Sequence, residues 1–356
     1  MLRTLLTISA TLFALGGVYD AASNARATGD AGELLIVKVR GNSSGGSVFD
    51  VGRKGAFDST WATCPTVLHD GKTYRMWYSS LYDSKMGRGG IGLATSRDGI
   101  HWTRAHRGDP VLETGPEDAF DGGQVMGPEV LFDGSQYWMW YTGMAAKWHG
   151  SGLGFYRIGL AISADGIRWK RAYDGKPILD LGPEGAPDEV QAATPTILRE
   201  AHGYRMWYAA WSPKTDHTLC VASSRDGLHW ERENKGQPVV GLEPSYAYGP
   251  TVCRWRGQYL LLYMSHLKPS PGIYAAVSQD GLRWSMLNAG KPVLRPGKAP
   301  DFDEDLVGHP FLLSSSMGVR IWYTGYRREE GGVRDWKLRI GLAEITRSRK
   351  GAGGLC

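Results

Sequence analysis

The sequence has little cysteine. Only Cys64, Cys220, Cys253 and Cys356 occur among 356 residues, and no two stand in a C-x-x-C pair. That spacing does not support a zinc site. In an exported chain four cysteines admit three pairings, among which the sequence does not choose. No block of Lys and Arg is long enough to act as a nucleic-acid arm, and the net charge of +5 is modest, so no nucleic-acid partner is expected. Past the N-terminal segment no apolar stretch reaches the ~20 residues of a membrane span. What is present suffices for a large core, at 42% hydrophobic and 22% charged residues. The 14 Trp and 17 Tyr suit strand-rich structure with stacking surfaces.

The N-terminus reads as a signal peptide over residues 1–27. Arg3 supplies the positive start, the segment from Thr4 to Val18 is mostly apolar, and Ala25-Arg26-Ala27 is a small-x-small cleavage site. An uncleaved anchor is the alternative. No cysteine lies nearby to carry a lipid. The expectation is a secreted or periplasmic monomer with no membrane span after cleavage.

A phrase of the form Ser-x-Asp-Gly-x-x-Trp ends at Trp102, Trp169, Trp230 and Trp284. A second phrase centres on Pro65, Pro128, Pro195, Pro250 and Pro310. Each copy leads through a Gly-containing turn to an apolar run ending in Tyr, such as Arg75-Met76-Trp77-Tyr78 or Arg320-Ile321-Trp322-Tyr323. Repetition on this scale marks stacked supersecondary units. Short strands with Gly turns and no helical period read as all-β. Four antiparallel strands in each of five units predict a five-bladed β-propeller over residues 28–346, followed by a short tail, 347–356. The Asp-Gly turns favour type I′ hairpins. The fifth unit lacks its Asp-Gly-x-x-Trp hairpin, so the segment Leu34 to Val39, or Ser47 to Val51, is expected to supply the fourth strand from the N-terminal side and close the ring.

Seven residues before each repeated Pro stands an acid: Asp58, Asp121, Asp188, Glu243 and Asp303. Such residues either crowd around a central funnel or cap the turns into their own strands. Positions that break the repeat are more informative. Glu129 follows its Pro where other units have Thr or Phe, and Glu189 follows Asp188. Trp61, Gln124, Gln191, Tyr246 and Tyr248 fall at the strand starts, and the loops between second and third strands add Trp148, His149, His217 and His266. Rings stack on the flat faces of sugars, while amides and carboxylates pair with hydroxyls. His309 precedes the fifth Pro and is either a ligand or base near the axis or a satisfied core histidine. Lys147, Lys214, Lys268 and Arg327 would form a positive collar suited to an acidic sugar. A funnel of carboxylates suits glycosidic cleavage, in which one acid protonates the leaving oxygen and a second activates water or attacks the anomeric carbon.

The Phe-Asp…Pro-x-Val…Asp-Gly…Met-Trp-Tyr…Ile-Gly-Leu-Ala-x-Ser-x-Asp-Gly-x-x-Trp units resemble the five-bladed propellers of glycoside hydrolase families 43, 32, 68, 117 and 130. The likeness covers roughly Val48 to Ile345. Gly127-Pro128-Glu129-Val130 is similar to the Trp-Ala-Pro-Asp/Glu-Val segment of family 43. Val307-Gly308-His309 resembles the Gly-His of arabinanase-like members, which implies that His309 helps hold a central cation, often calcium; no other cofactor is implied. The departures are equally specific. Where family 43 has its base, tuning acid and general acid, this chain has Cys64, Thr194 and Tyr248, and the Asn-Asp-Pro, Arg-Asp-Pro and Glu-Cys triplets of families 32 and 68 are missing. The resemblance therefore implies an oligo- or polysaccharide-cleaving enzyme with shifted acids: Glu189 as general acid, Asp58 as base or nucleophile, Asp121 orienting hydroxyls or tuning a neighbour, and Glu129 in reserve. The alternatives are a non-catalytic carbohydrate-binding or scaffold propeller, and a phosphorylase using Lys147, Lys214 and His149.

Overall fold

The computed structural model describes residues 33–83, 88–146, 155–315, 318–329 and 336–346; the expected signal peptide and C-terminal tail lie outside them. The β-branched and aromatic runs pair as antiparallel strands, which suits side chains that pack on a pleated surface. One sheet holds β2 (Thr63–His69), β3 (Tyr74–Asp83), β4 (Arg88–Ser96) and β5 (Trp102–Arg104) in that order. The next holds β6 (Gln124–Phe132), β7 (Tyr137–Met144), β8 (Tyr156–Ser163) and β9 (Lys170–Arg171). A single parallel pair, Tyr156 with Gln191, links it to β10 (Gln191–Glu200), β11 (Gly203–Ser212), β12 (Asp216–Ser224) and β13 (Glu231–Arg232). Then come β14 (Tyr248–Trp255), β15 (Gln258–Ser265), β16 (Gly272–Ser278) and β17 (Ser285–Met286).

The last sheet holds β18 (Leu306–Ser315), β19 (Gly318–Arg328) and β20 (Trp336–Thr346), and takes its fourth strand from the other end of the chain, β1 (Leu35–Val39). Lys38 of β1 stands opposite Ala343, as Arg104, Arg171 and Arg232 stand opposite Ala94, Ala161 and Ala222.

The core lies between consecutive sheets. Leu260, Leu262 and Ile273 pack with Leu312, Ile321 and Tyr323, and Val67, Met76 and Tyr78 pack with Phe311, Trp322 and Ile340. Trp77, Trp140, Trp207 and Trp322 are fully buried. At ~25 cal/mol per Å² over the ~200 Å² of a Trp, each contributes about 5 kcal/mol of transfer free energy.

Each of these indoles also donates its N–H to the Gly carbonyl of a neighbouring sheet's Asp-Gly turn: Trp77 to Gly166, Trp140 to Gly227, Trp207 to Gly281 and Trp322 to Gly99, at 2.8–3.1 Å. The Asp-Gly phrase is thus the socket between sheets. Its turn is not the expected type I′, which needs left-handed φ at both central residues. Only the glycine has it, as at Gly99 (φ 77°), while Asp98 instead accepts from the N–H groups of Ile100 and His101 at 2.8 Å.

Candidate functional site

The repeated acids do not gather at the axis. Asp58 is fully buried, and its Oδ2 accepts from Tyr78 Oη at 2.8 Å and Arg104 Nε at 2.7 Å. Asp121 holds Tyr141 and Arg171 in the same way, Asp188 holds Tyr208 and Arg232, and Asp303 holds Tyr323 and Lys38. Glycines six residues upstream (Gly52, Gly115, Gly182 and Gly297) let these carboxyls pack against bare backbone that a Cβ would obstruct. In the fourth unit the Glu243 side chain is exposed, and Tyr263 bonds its backbone carbonyl instead. Each carboxylate ties the second strand of its sheet to the outermost one, so the catalytic roles expected of Asp58 and Asp121 are corrected to structural ones. Glu189 is half-buried, accepts from the Gly185 N–H within its own loop, and is not among the residues lining the axial cavity.

The axis is built by the second phrase. The residue before each Pro is in the left-handed region: Cys64 (φ 49°), Gly127 (55°), Thr194 (45°), Gly249 (56°) and His309 (43°). Three of the five are not glycine, a strained backbone of the kind that clusters at functional sites. Hydroxyls of adjoining sheets hold these turns, with Ser79 Oγ accepting from Gly127 N, Thr142 Oγ1 from Thr194 N and Thr324 Oγ1 from Cys64 N. Together with Glu129, Thr251, Phe311 and the prolines, they line a cavity of about 330 Å³ counting its open mouth.

Glu129 interrupts a chain of threonines here. Thr66, Thr196 and Thr251 each accept from the backbone of the next inner strand, at Val130, Val252 and Leu312. Glu129 takes the corresponding place through Oε1, which accepts from Ile197 N at 3.3 Å. Burial pushes its carboxyl up to about 8, against the two hydrogen bonds that lower it. Glu129 is therefore a neutral acid at pH 7. No second carboxylate lines the cavity among the described residues.

His309 lines the same cavity under the edge of Tyr248, with ring centroids 5.6 Å apart, and burial lowers its pKa to about 4. Among the described residues no three His, Cys, Asp or Glu side chains converge as metal ligands. Calcium seeks several oxygen donors. The residues around His309 therefore do not fit the protein-held cation that the resemblance implied.

Above the cavity, where the inner strands begin, lies a mouth of rings and amides. Tyr248 is raised well above its usual pKa by burial and by the neighbouring Tyr156, Cys64, Tyr246 and Tyr326. These residues come from four different sheets. His217 packs against Trp211, Tyr246 and Tyr248, and Tyr246 against His266, with centroids 4.2–5.9 Å apart. Gln124 and Gln191 are buried, 8% and 5% exposed. Their side-chain nitrogens have no hydrogen-bond partner among the described residues, and neither do Thr194 Oγ1 and His217 Nε2. Orphaned buried polar atoms of this kind are uncommon and call for a partner.

The expected binding residues Tyr246, Tyr248, His217 and His266 therefore pack together, while Gln191 stands opposite Tyr156 and Gln124 opposite Met144, itself opposite Tyr156. Trp61 borders the same region: with Tyr248 it packs against the cluster of Met264, Leu306, Tyr326 and Leu338, and it donates its N–H to the Trp336 carbonyl at 2.9 Å. Trp148 and His149 lie outside the described residues, as does Lys147. Tyr156 and Tyr326 were missed. Tyr156 begins β8 and Tyr326 lies near the end of β19, with nothing in the repeat to set them apart.

The comparisons with known proteins agree with this architecture. A model for the glycosyl hydrolases family 32 N-terminal domain matches residues 65–241. A thermostable family-43 glycoside hydrolase superposes with a TM-score of 0.62 at 18% identity, over 83% of this chain and 96% of that one. A family 117 glycoside hydrolase of the marine bacterium Zobellia galactanivorans gives 0.64 at 15% identity, over 88% and 90%. An uncharacterized protein of Mycobacterium tuberculosis is 28% identical over 229 residues, 61% of this chain and 72% of the relative. The chain is thus similar to the family 32 N-terminal domain over residues 65–241 and shares its fold with glycoside hydrolases of families 43 and 117.

Proposed function

We propose that this protein is a five-bladed propeller, closed by β1, that binds a saccharide in the mouth above its axial cavity. The observation that carries the reading is the set of buried, unsatisfied polar atoms on Gln124, Gln191 and His217, with His217 packed against the rings of Tyr246 and Tyr248. Amides and an imidazole pair with hydroxyls, and aromatic faces meet sugar C–H groups. Carbohydrate relatives support it; one structural neighbour, a Bombyx mori family 32 β-fructofuranosidase variant, is in complex with sucrose. The N-terminal segment 1–27 supports export, and with it an extracellular or periplasmic glycan.

The two-carboxylate hydrolysis expected from the sequence lacks its second member at the axis. One observation still favours catalysis: Glu129, a carboxylic acid held protonated at pH 7 beside the cavity, has the state a general acid needs.

A glycan array on the mature protein, followed by calorimetry and a glycan-release assay on each binder, tests both readings. Binding without release, weakened by Gln124→Leu and Gln191→Leu, is the expected result. Release abolished by Glu129→Gln would establish the enzyme. No binding on the array would sink the proposal.

A further inference from the structure

His217 is the second residue of β12, directly after Asp216, which is held in the left-handed region at φ 55°. The loop before them is clamped by Ser212, whose Oγ accepts from Lys214 N and Thr215 N and meets Thr215 Oγ1 at 2.9 Å. Asp216 Oδ1 accepts from the His217 backbone N–H at 2.8 Å and lies 3.3 Å from His217 Nδ1. The His217 carbonyl accepts from Ala247 N at 3.2 Å. Trp211, Tyr246 and Tyr248 surround the ring, which is 7% exposed. Nε2 is the buried side-chain polar atom of this pair left without a partner among the described residues.

A carboxylate only accepts hydrogen bonds, so the proton of the neutral imidazole sits on Nδ1 and Nε2 presents a lone pair. A buried acceptor with no donor is costly, and the missing partner must be a donor.

We propose that His217 Nε2 accepts a hydrogen bond from a hydroxyl of the bound saccharide, with Asp216 as the positioning residue that sets the tautomer. This rests on the saccharide-binding reading above and adds a specificity to it: the ligand must carry a free hydroxyl at that point. An O-methylated or deoxy sugar cannot donate there, so the same stacked ring is rejected.

The test uses the mature protein labelled with ¹⁵N-histidine and a fixed panel of xylobiose, cellobiose, lactose and sucrose. In the free protein a long-range ¹H–¹⁵N correlation is expected to show His217 protonated at Nδ1 and bare at Nε2. The disaccharide that binds is expected to move the Nε2 resonance, and its per-O-methyl derivative is not. His217→Phe, which keeps the ring packing, is expected to weaken binding about 10-fold, the scale of one buried hydrogen bond. Asp216→Ala is expected to shift the proton toward Nε2, and Asp216→Asn, which tolerates the left-handed backbone, to restore the original tautomer. A proton on Nε2 in the free protein, or equal affinity of wild type and a folded His217→Phe, overturns the inference while leaving saccharide binding intact. Absence of binding across the panel counts against the saccharide reading and takes this inference with it; the tautomer measurement distinguishes the two failures.

Discussion

Lys38 Nζ lies 2.6 Å from Asp303 Oδ2, across 265 positions of sequence. It makes the contact that arginines make in three other sheets, Arg104 to Asp58, Arg171 to Asp121 and Arg232 to Asp188. A residue near the N-terminus thereby completes the last sheet. The same relationship explains why Asp58, Asp121, Asp188 and Asp303 are unavailable for chemistry: each already has a cation and a phenol.

Asp121→Asn should therefore lower stability and leave saccharide affinity unchanged. Removing one member of a buried ion pair costs about 3–5 kcal/mol, and the partial exposure of Arg171, 25%, places the expected loss at about 2–4 kcal/mol. Urea denaturation beside calorimetric titration with the array's binder measures both. A loss of affinity with stability intact would return Asp121 to the site.

Gln124→Leu and Gln191→Leu should behave in the opposite way. Each removes an unsatisfied buried amide nitrogen, so stability should hold or rise by ~1 kcal/mol, while affinity falls about 10-fold. Thermal melts read the first effect and calorimetry the second.

Glu129 should leave a signature in stability against pH. Its folded pKa, about 8, lies above its ordinary value of 4.5. Between those limits the folded state binds a proton that the unfolded state has lost. Its contribution is therefore complete below pH ~4.5 and is lost as pH rises toward 8, at up to ~1.4 kcal/mol per pH unit. Denaturation curves from pH 5 to 8 should flatten by that slope in Glu129→Gln. An unchanged slope would show that the carboxyl titrates normally.

Cys64, Cys220 and Cys253 are free and buried, and burial pushes each thiol up to about 12. Because the thiolate is the reactive form, all three should resist a disulfide reagent such as Ellman's at pH 7.5 and react once guanidinium unfolds the chain. Rapid reaction of Cys64 in the native protein would expose the axis to solvent.

The repeats made the strand content and the four-strand unit readable, because Gly turns and apolar runs act locally. The left-handed turns before Pro65 and Pro195 were not readable, since Cys64 and Thr194 have no intrinsic preference for that backbone and are held there by hydroxyls from other strands. The candidate site divides in the same manner. Gln124, Gln191, Tyr246, Tyr248, His217 and His266 could be named because strand starts and second-to-third loops share one end of every unit. Asp58 and Asp121 were misjudged because Arg104 and Arg171 lie 46 and 50 positions downstream, and spacing alone cannot show a cation folding back onto an acid.

Local chemistry, then, determined the units themselves: alternation selects strands, glycine selects turns, and the aspartates of the Asp-Gly phrase cap their own backbones. Which acids were neutralised, which amides were left without partners, and which residues met at the axis were decided only by the tertiary structure. These outcomes depend on burial and on distances between sheets remote in sequence, and desolvation is set by everything that packs around a group.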